Sequence, residues 1–388
     1  MNSPTRIIAG VEIGTACIKV LIADVGPDHL RPLALGTCTA LGVLKGSILD
    51  KEAVADCFHA ALAAAERKAS AAIEGVYLAL SGAHLDGFAH EESIDVSTND
   101  GTVTRADIDK VNRLARAKEL PAEHAVVHFQ CQQYHLDGRS IASPDALHGR
   151  KLTARYWIAH ADRHCIADGI DLLRRFDLQV DEPILSSLAS GAIVTSAEER
   201  RQGVLVLDIG GGTTDYVLYR DGRAYWTGVL TFGGDQITND IHLRLRVTVE
   251  QAEQLKRRLG RCVAPPDGVT EPAWVDGDLK LADHPIPVQL VERIVTERLR
   301  EVFEIVVARL GTAFDPADIG AGVVITGGTA KLPGVAELAK EVFGLSAHLG
   351  MPPSALPESL RDPSFSTVLG LFHYRLGEDP SAPDSPAT

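Results

Sequence analysis

A chain of 388 residues, 45% apolar and 23% charged, is long enough to fill two hydrophobic cores rather than one. Its formal charge of −14 argues against nucleic acid as the main partner and against adhesion of the whole body to anionic lipid, since both favour basic protein surfaces. The six cysteines, at positions 17, 38, 57, 131, 165 and 262, include no CxxC pair, so the spacing predicts reduced, mostly buried thiols rather than a disulfide frame or zinc site.

In chain order, the N-terminus leads directly into an apolar run from Ile7, which leaves no room for a signal peptide. No stretch reaches the roughly 20 apolar residues that span a bilayer. A cytosolic protein is therefore expected. Residues 7–15 read as a β-branched strand ending in an acid-x-glycine turn, and residues 18–23 as its apolar return strand, together a hairpin. Residues 50–72 carry Val54, Phe58, Ala61 and Leu62 at helical spacing, and residues 76–82 read as a buried strand. Between 85 and 160 the texture changes. Short alternating strands, a helix over 105–118 and an extended run over 125–129 predict an inserted α+β module. Residues 161–176 return to an amphipathic helix.

The opening pattern then recurs. Residues 203–208 form a second apolar strand, Gly210-Gly211-Gly212 a turn, and residues 215–219 a return strand. A motif used twice, half a chain apart, predicts a duplicated lobe with two glycine turns facing one cleft. Helices follow over 249–259 and 288–310, the latter with Val291, Ile294, Val295, Leu299, Val302, Phe303, Val306 and Leu310 on one stripe. Residues 323–328 read as a strand running into a third glycine turn, followed by helices over 334–343 and 368–374. The last dozen residues, with Pro380, Pro383 and Pro386, have no apolar face, and a disordered tail is expected there.

The segment Asp208-Ile209-Gly210-Gly211-Gly212-Thr213-Thr214-Asp215 carries the sharpest chemistry. Consecutive glycines let backbone N–H groups approach an anion, the threonine hydroxyls add donors, and the flanking carboxylates suit a hydrated Mg²⁺. Taken alone, such a run is also an ordinary glycine hairpin. Glu12-Ile13-Gly14-Thr15 with Lys19 supplies a second turn and a cation for phosphate. Thr326-Gly327-Gly328-Thr329 supplies side-chain-free backbone for a base or ribose. The absence of GxxxxGK(S/T) excludes a Walker-type loop.

Three glycine turns in this order resemble the phosphate-1, phosphate-2 and adenosine loops of the actin and Hsp70 superfamily. Over nearly its whole length the chain resembles the FtsA family. Gly233-Gly234 with Thr238, Asn239 and Asp240 is similar to that family's glycine pair and following helix, and Glu253 with Lys256 to its ribose and adenine contacts. Gln132-Gln133-Tyr134 is similar to a segment of its inserted subdomain 1C. The resemblance implies an α/β, two-lobed actin-like ATPase fold with duplicated ribonuclease-H-like cores and an inserted 1C. Subdomain 1A would cover residues 1–84, 163–205 and 346–388, 1C residues 85–162, 2A residues 206–245 and 313–345, and 2B residues 246–312.

By the same resemblance, ATP and Mg²⁺ are the expected ligands. Glu12, Gly14, Thr15, Lys19, Gly210, Gly211, Gly212, Thr213, Thr214, Gly233, Gly234, Glu253, Lys256, Gly327, Gly328 and Thr329 would hold the nucleotide, with Asp208 and Asp215 as Mg or water ligands. The expected partners are the C-terminal tail of FtsZ, through 2B with Arg298, Arg300 and Glu301, other division proteins through 1C, and further copies of the chain in a filament. Lys256, Arg257, Arg258 and Arg261 read as a basic patch at the start of 2B.

Two departures from the family are visible. Serines at 186 and 187 stand where a water-orienting Glu or Gln is usual, so at most slow ATP hydrolysis is expected. No basic amphipathic helix follows Arg375, so indirect attachment to the membrane is expected. Alternatives on the same fold are a PilM-like protein of type IV pilus assembly and a small-molecule kinase or phosphatase. The latter needs a substrate-side carboxylate base, for which the sequence offers no convincing candidate.

Overall fold

The computed structural model describes residues 6–26, 29–262 and 288–376. The tail expected after position 376 lies outside these residues. The first glycine hairpin forms as expected, with β1 (Arg6–Ile13) antiparallel to β2 (Cys17–Gly26) and Glu12 opposite Lys19. β3 (His29–Thr39) continues the meander beside β2. A small hairpin of β4 (Val43–Leu44) and β5 (Ser47–Ile48) leads to α1 (Lys51–Ala69), capped by the Asp50 carboxylate. α1 stops short of position 72 because Ser70 adopts a left-handed φ of 51°. β6 (Gly75–Leu80) then pairs in parallel with β1.

The inserted module comprises β7 (Leu85–Asp95), α2 (Arg105–Arg116), β8 (His124–Leu136), β9 (Arg139–Ile141) and β10 (Lys151–Asp162). Its antiparallel sheet runs β7-β10-β8-β9, and α2 covers one face through Ile108, Val111 and Ala115. After α3 (Arg163–Arg174), the chain returns to the first sheet as β11 (Val180–Leu185), parallel to β6, and passes through α4 (Ser186–Val194) and α5 (Ala197–Gln202).

The second half repeats the plan. β12 (Val204–Ile209), β13 (Thr214–Arg220) and β14 (Arg223–Leu230) form an antiparallel meander. α6 (Gly234–Leu245), α7 (Val249–Leu259) and α8 (Val288–Leu310) follow. β15 (Gly322–Thr326) adds in parallel to β12, and β16 (Ala347–Leu349) in parallel to β15, with α9 (Val335–Phe343) between them. α10 (Ser366–Leu376) ends the described chain. The two five-stranded sheets, β11-β6-β1-β2-β3 and β14-β13-β12-β15-β16, therefore share one connectivity: a three-stranded meander extended by two parallel strands.

Strand alternation explains the layering. Val204, Val206, Val217 and Val324 face a core shared with α4, α10 and the first sheet, while Leu205, Leu207, Leu218 and Ile325 face α6 to α9. All eight apolar residues of the α8 stripe are buried in that second core. The insert is fastened to the second sheet at β14. Trp157 stacks on Trp226 with ring centroids 4.0 Å apart and donates from Nε1 to Thr227 Oγ1 at 2.9 Å. Gln132 donates to the Tyr225 carbonyl.

Against β3, α1 packs so closely that a Cβ at Gly36 would lie 1.9 Å from the Ala61 carbonyl oxygen. Backbone on both sides leaves no side chain to swing away. Gly36→Ala is expected to cost about 1–3 kcal/mol and lower the thermal midpoint; an unchanged midpoint would show that the helix shifts freely.

Candidate functional site

Both hairpin turns close in the same way: Gly14 N donates to Cys17 O at 3.2 Å, and Gly210 N donates to Thr213 O at 2.9 Å. They also touch. A Cβ at Gly212 would lie 2.6 Å from Thr15 Oγ1, and one at Gly211 2.9 Å from the Ala16 methyl. The third turn joins them. Gly327 has φ +91°, and a Cβ there would sit 2.4 Å from Asp208 Oδ1. The Thr329 hydroxyl donates to Gly210 O at 2.8 Å. Three segments far apart in sequence thus wall one cleft of about 240 Å³.

Of the residues singled out from the sequence, Glu12, Gly14, Thr15, Lys19, Asp208, Gly210, Gly211, Thr213, Asp215 and Gly328 line the cleft. The others stand behind it. Gly212 and Gly327 are packing positions. Gly233 and Gly234 support the second turn, with Gly234 N donating to Gly210 O at 3.0 Å and Asp235 N to Gly211 O at 2.8 Å. Thr214 corrects an expectation: its hydroxyl donates to Phe232 O at 2.8 Å, so it is not a free donor for an anion. Glu253 and Lys256 form a network on α7. Lys256 Nζ reaches Gly234 O at 3.0 Å, Thr238 Oγ1 at 2.8 Å and Glu253 Oε2 at 2.6 Å.

That burial removes Lys256 from the expected basic patch. Arg257 pairs with Glu253 at 2.7 Å and Arg261 with Glu292 at 3.6 Å, so part of the cluster's charge is offset within the fold. Arg298 bridges Asp240 at 2.7 Å and Glu301 at 2.6 Å, and Arg300 pairs with Glu341 at 2.9 Å, tying α8 to α6 and α9.

The cleft is acidic. Burial pushes the Glu12, Asp208 and Asp215 carboxyls above the ordinary range, Asp215 furthest because Asp208 lies beside it. For Lys19, burial opposes the charge, but the Glu12 carboxylate at 2.6 Å prevails and holds the ammonium protonated. Three acidic side chains thus surround one ammonium. Glu12 Oε2 and Asp215 Oδ1 are buried without a protein partner. Both facts fit a divalent cation that keeps its waters; among the described residues no group of three or more ligands could grip a bare ion.

Two hydroxyls that sequence reasoning missed hold these acids. Thr367 on α10 donates to Asp208 Oδ2, and Ser81 after β6 donates to Asp215 Oδ2, each at 2.7 Å. Ser364 and Phe365 also line the cleft. Isolated hydroxyls beside apolar runs carry no sequence pattern, so only the folded arrangement reveals them.

Because Asp215 holds its proton more tightly when folded, the unfolded chain releases it first as pH rises. Folded stability is therefore lost through that window and stays low at neutral pH. Ligand-free Asp215→Asn, which keeps an acceptor for Ser81, should melt several degrees above the parent at pH 7 and equal it near pH 4. Equal midpoints at both values would mean that the carboxylate is solvated.

The profile described as "Cell division protein FtsA" matches residues 205–370, and that of the SHS2 domain inserted in FTSA matches residues 82–159. Cell division protein FtsA of Pseudomonas aeruginosa is 32% identical over 375 residues, covering 96% of this chain and 89% of that protein. The Escherichia coli K12 protein of the same name is 31% identical, covering 95% and 90%. Among solved structures, a PilM–PilN type IV pilus biogenesis complex superposes with a TM-score of 0.67 at 20% identity, covering 96% of this chain and 99% of that one. MreB5 of Spiroplasma citri, bound to ADP, gives 0.53 at 15%, covering 94% of each. The duplicated sheets are those of the two-lobed actin-like ATPase fold. With that fold, the inserted module and an identity above 30% sustained along almost the whole chain, the protein belongs to the FtsA family of cell division proteins.

Proposed function

We propose that this protein is an ATP-binding scaffold of bacterial cell division that assembles with further copies of itself and links FtsZ to the cytoplasmic face of the membrane at the division site. One observation carries the nucleotide half of this reading. Three remote glycine turns meet at a cleft whose buried carboxylates lack a full set of partners. The backbone at Gly14, Gly210 and Gly211, the hydroxyls of Thr15 and Thr213, and the Lys19 ammonium suit phosphate oxygens. Asp208 and Asp215 suit Mg²⁺ held through water. Gly233, Gly234, Glu253 and Lys256, packed behind the second turn, would shape the ribose and base side of the site through it, with the backbone of Gly328 at the cleft wall. The ADP carried by MreB5 supports placing a nucleotide in this fold. When bound, Mg²⁺ would supply compensating positive charge and the nucleotide a bridge between the lobes, which favours the closed, assembly-competent arrangement.

Hydrolysis is slow in this reading. Ser186 lines the cleft where a stronger base would be needed, and Glu182, the acid nearest in sequence, is bound to Arg375 at 3.0 Å. The subdomain division read from the sequence is retained as part of the proposal, with 1C over 85–162 as the contact for other division proteins and 2B over 246–312 as the seat of the FtsZ tail. There Arg300 and Glu301 are the contacts, with Arg298 orienting Glu301. The PilM-like alternative is favoured by the TM-score of the PilM–PilN complex, and a binding test separates the two.

A synthetic FtsZ C-terminal tail peptide should retain the protein in a pull-down. Capture by a pilus-partner peptide instead would reverse the assignment. Asp208→Ala should weaken MgATP binding about 10- to 100-fold, the worth of one charged contact, as read by titration calorimetry. Unchanged affinity would make the glycine turn purely structural.

A further inference from the structure

Ser81 sits where the two sheets and the stem of the inserted module meet. It directly follows strand β6 of the first sheet, yet its hydroxyl donates to Asp215 Oδ2 on the second sheet at 2.7 Å and lies 3.2 Å from Thr213 Oγ1. With Oδ2 thus taken, Asp215 Oδ1 is the oxygen left buried without a partner. The backbone of Ser81 is held from the other side. A Cβ at Gly46 would lie 2.5 Å from Ser81 O, and Gly46 N donates to Thr15 Oγ1 in the first glycine turn at 3.2 Å. The next residue, Gly82, has φ +142°, a conformation that a residue with a side chain rarely adopts.

Beyond Gly82 the stem of the insert begins. Leu85 N donates to Gly82 O at 3.1 Å, and Asp162 N, at the end of β10, donates to His84 O at 3.2 Å. The outgoing and returning strands of the insert are therefore joined two residues after that glycine. Any rearrangement of the Asp215 carboxylate acts on the Ser81 hydroxyl and, through one permissive residue, on both strands of the stem. Thr367 makes the matching bond to Asp208, but it lies on α10, off this path.

We propose that Ser81 is a positioning residue that relays occupancy of the cleft to the stem of the inserted module, so that filling the site orders residues 82–86 and 160–163. The inference rests on the nucleotide reading of the cleft. A ligand that engages Asp215 fixes its carboxylate in one orientation, which holds Ser81 and suppresses local opening of the stem.

Amide hydrogen exchange on the full chain, with and without MgATP at concentrations that saturate each variant, tests the relay. In the parent, MgATP should slow exchange severalfold across 82–86 and 160–163. Ser81→Ala should lose that slowing although its cleft is filled, while Ser81→Thr, which keeps the hydroxyl, and Thr367→Val, which removes the other bond, should retain it. Full slowing in Ser81→Ala, or an equal rise in its exchange with and without MgATP, would reduce Ser81 to a structural residue and overturn the relay. Calorimetry run in parallel separates the two failures. MgATP binding without a stem response sinks the relay alone, whereas no binding by the parent sinks the nucleotide reading and the relay with it.

Discussion

Three carboxylates buried around one ammonium form the constraint on which the rest of the molecule is arranged. Glu12 and Asp208 end equivalent strands of two equivalent sheets, and Asp215 begins the return strand of the second. Charges so placed are costly without compensation. The fold supplies part of it through Lys19, Thr367 and Ser81 and leaves two oxygens unpaired. The duplicated architecture exists in a form that brings these acids together: β1 and β12 are central in their sheets, and α4 and α10 fill the layer between them. Buried acids of this kind are stabilised by nearby positive charge, to which a divalent cation would add beside Lys19.

Much of this was legible in the sequence because duplication leaves a periodic trace. The acid-x-glycine turn followed by an apolar return strand occurs twice, and each copy folded into the same closed turn. The stripe on residues 288–310 was equally plain, since 3.6-residue periodicity is a local property. What escaped was set by distant partners. Thr214 looked like a phosphate donor until the carbonyl of Phe232 claimed its hydroxyl. Lys256 looked like surface charge, yet a glycine carbonyl, Thr238 and Glu253 draw it inward. Ser81 and Thr367 are single hydroxyls that acquire meaning only when two lobes meet.

The second lobe illustrates how the site is held from behind. Gly233 and Gly234 let the start of α6 press against the second turn, and the Lys256 network locks α7 onto that start. Arg298 in turn locks α8 onto α6. Each layer fixes the next, so the position of the glycine turn is set by charge pairs in helices well outside the cleft. These pairs are partly buried and shielded from salt to a degree that exposed pairs are not.

The stacked indoles of Trp157 and Trp226 have a spectroscopic corollary. They straddle the seam between the insert and the second sheet, and stacked neighbours exchange excitation and quench one another. Two of the three tryptophans in the chain form this pair. Parting of the insert from β14 would brighten and red-shift its emission, and the seam can therefore be followed in real time without any attached dye.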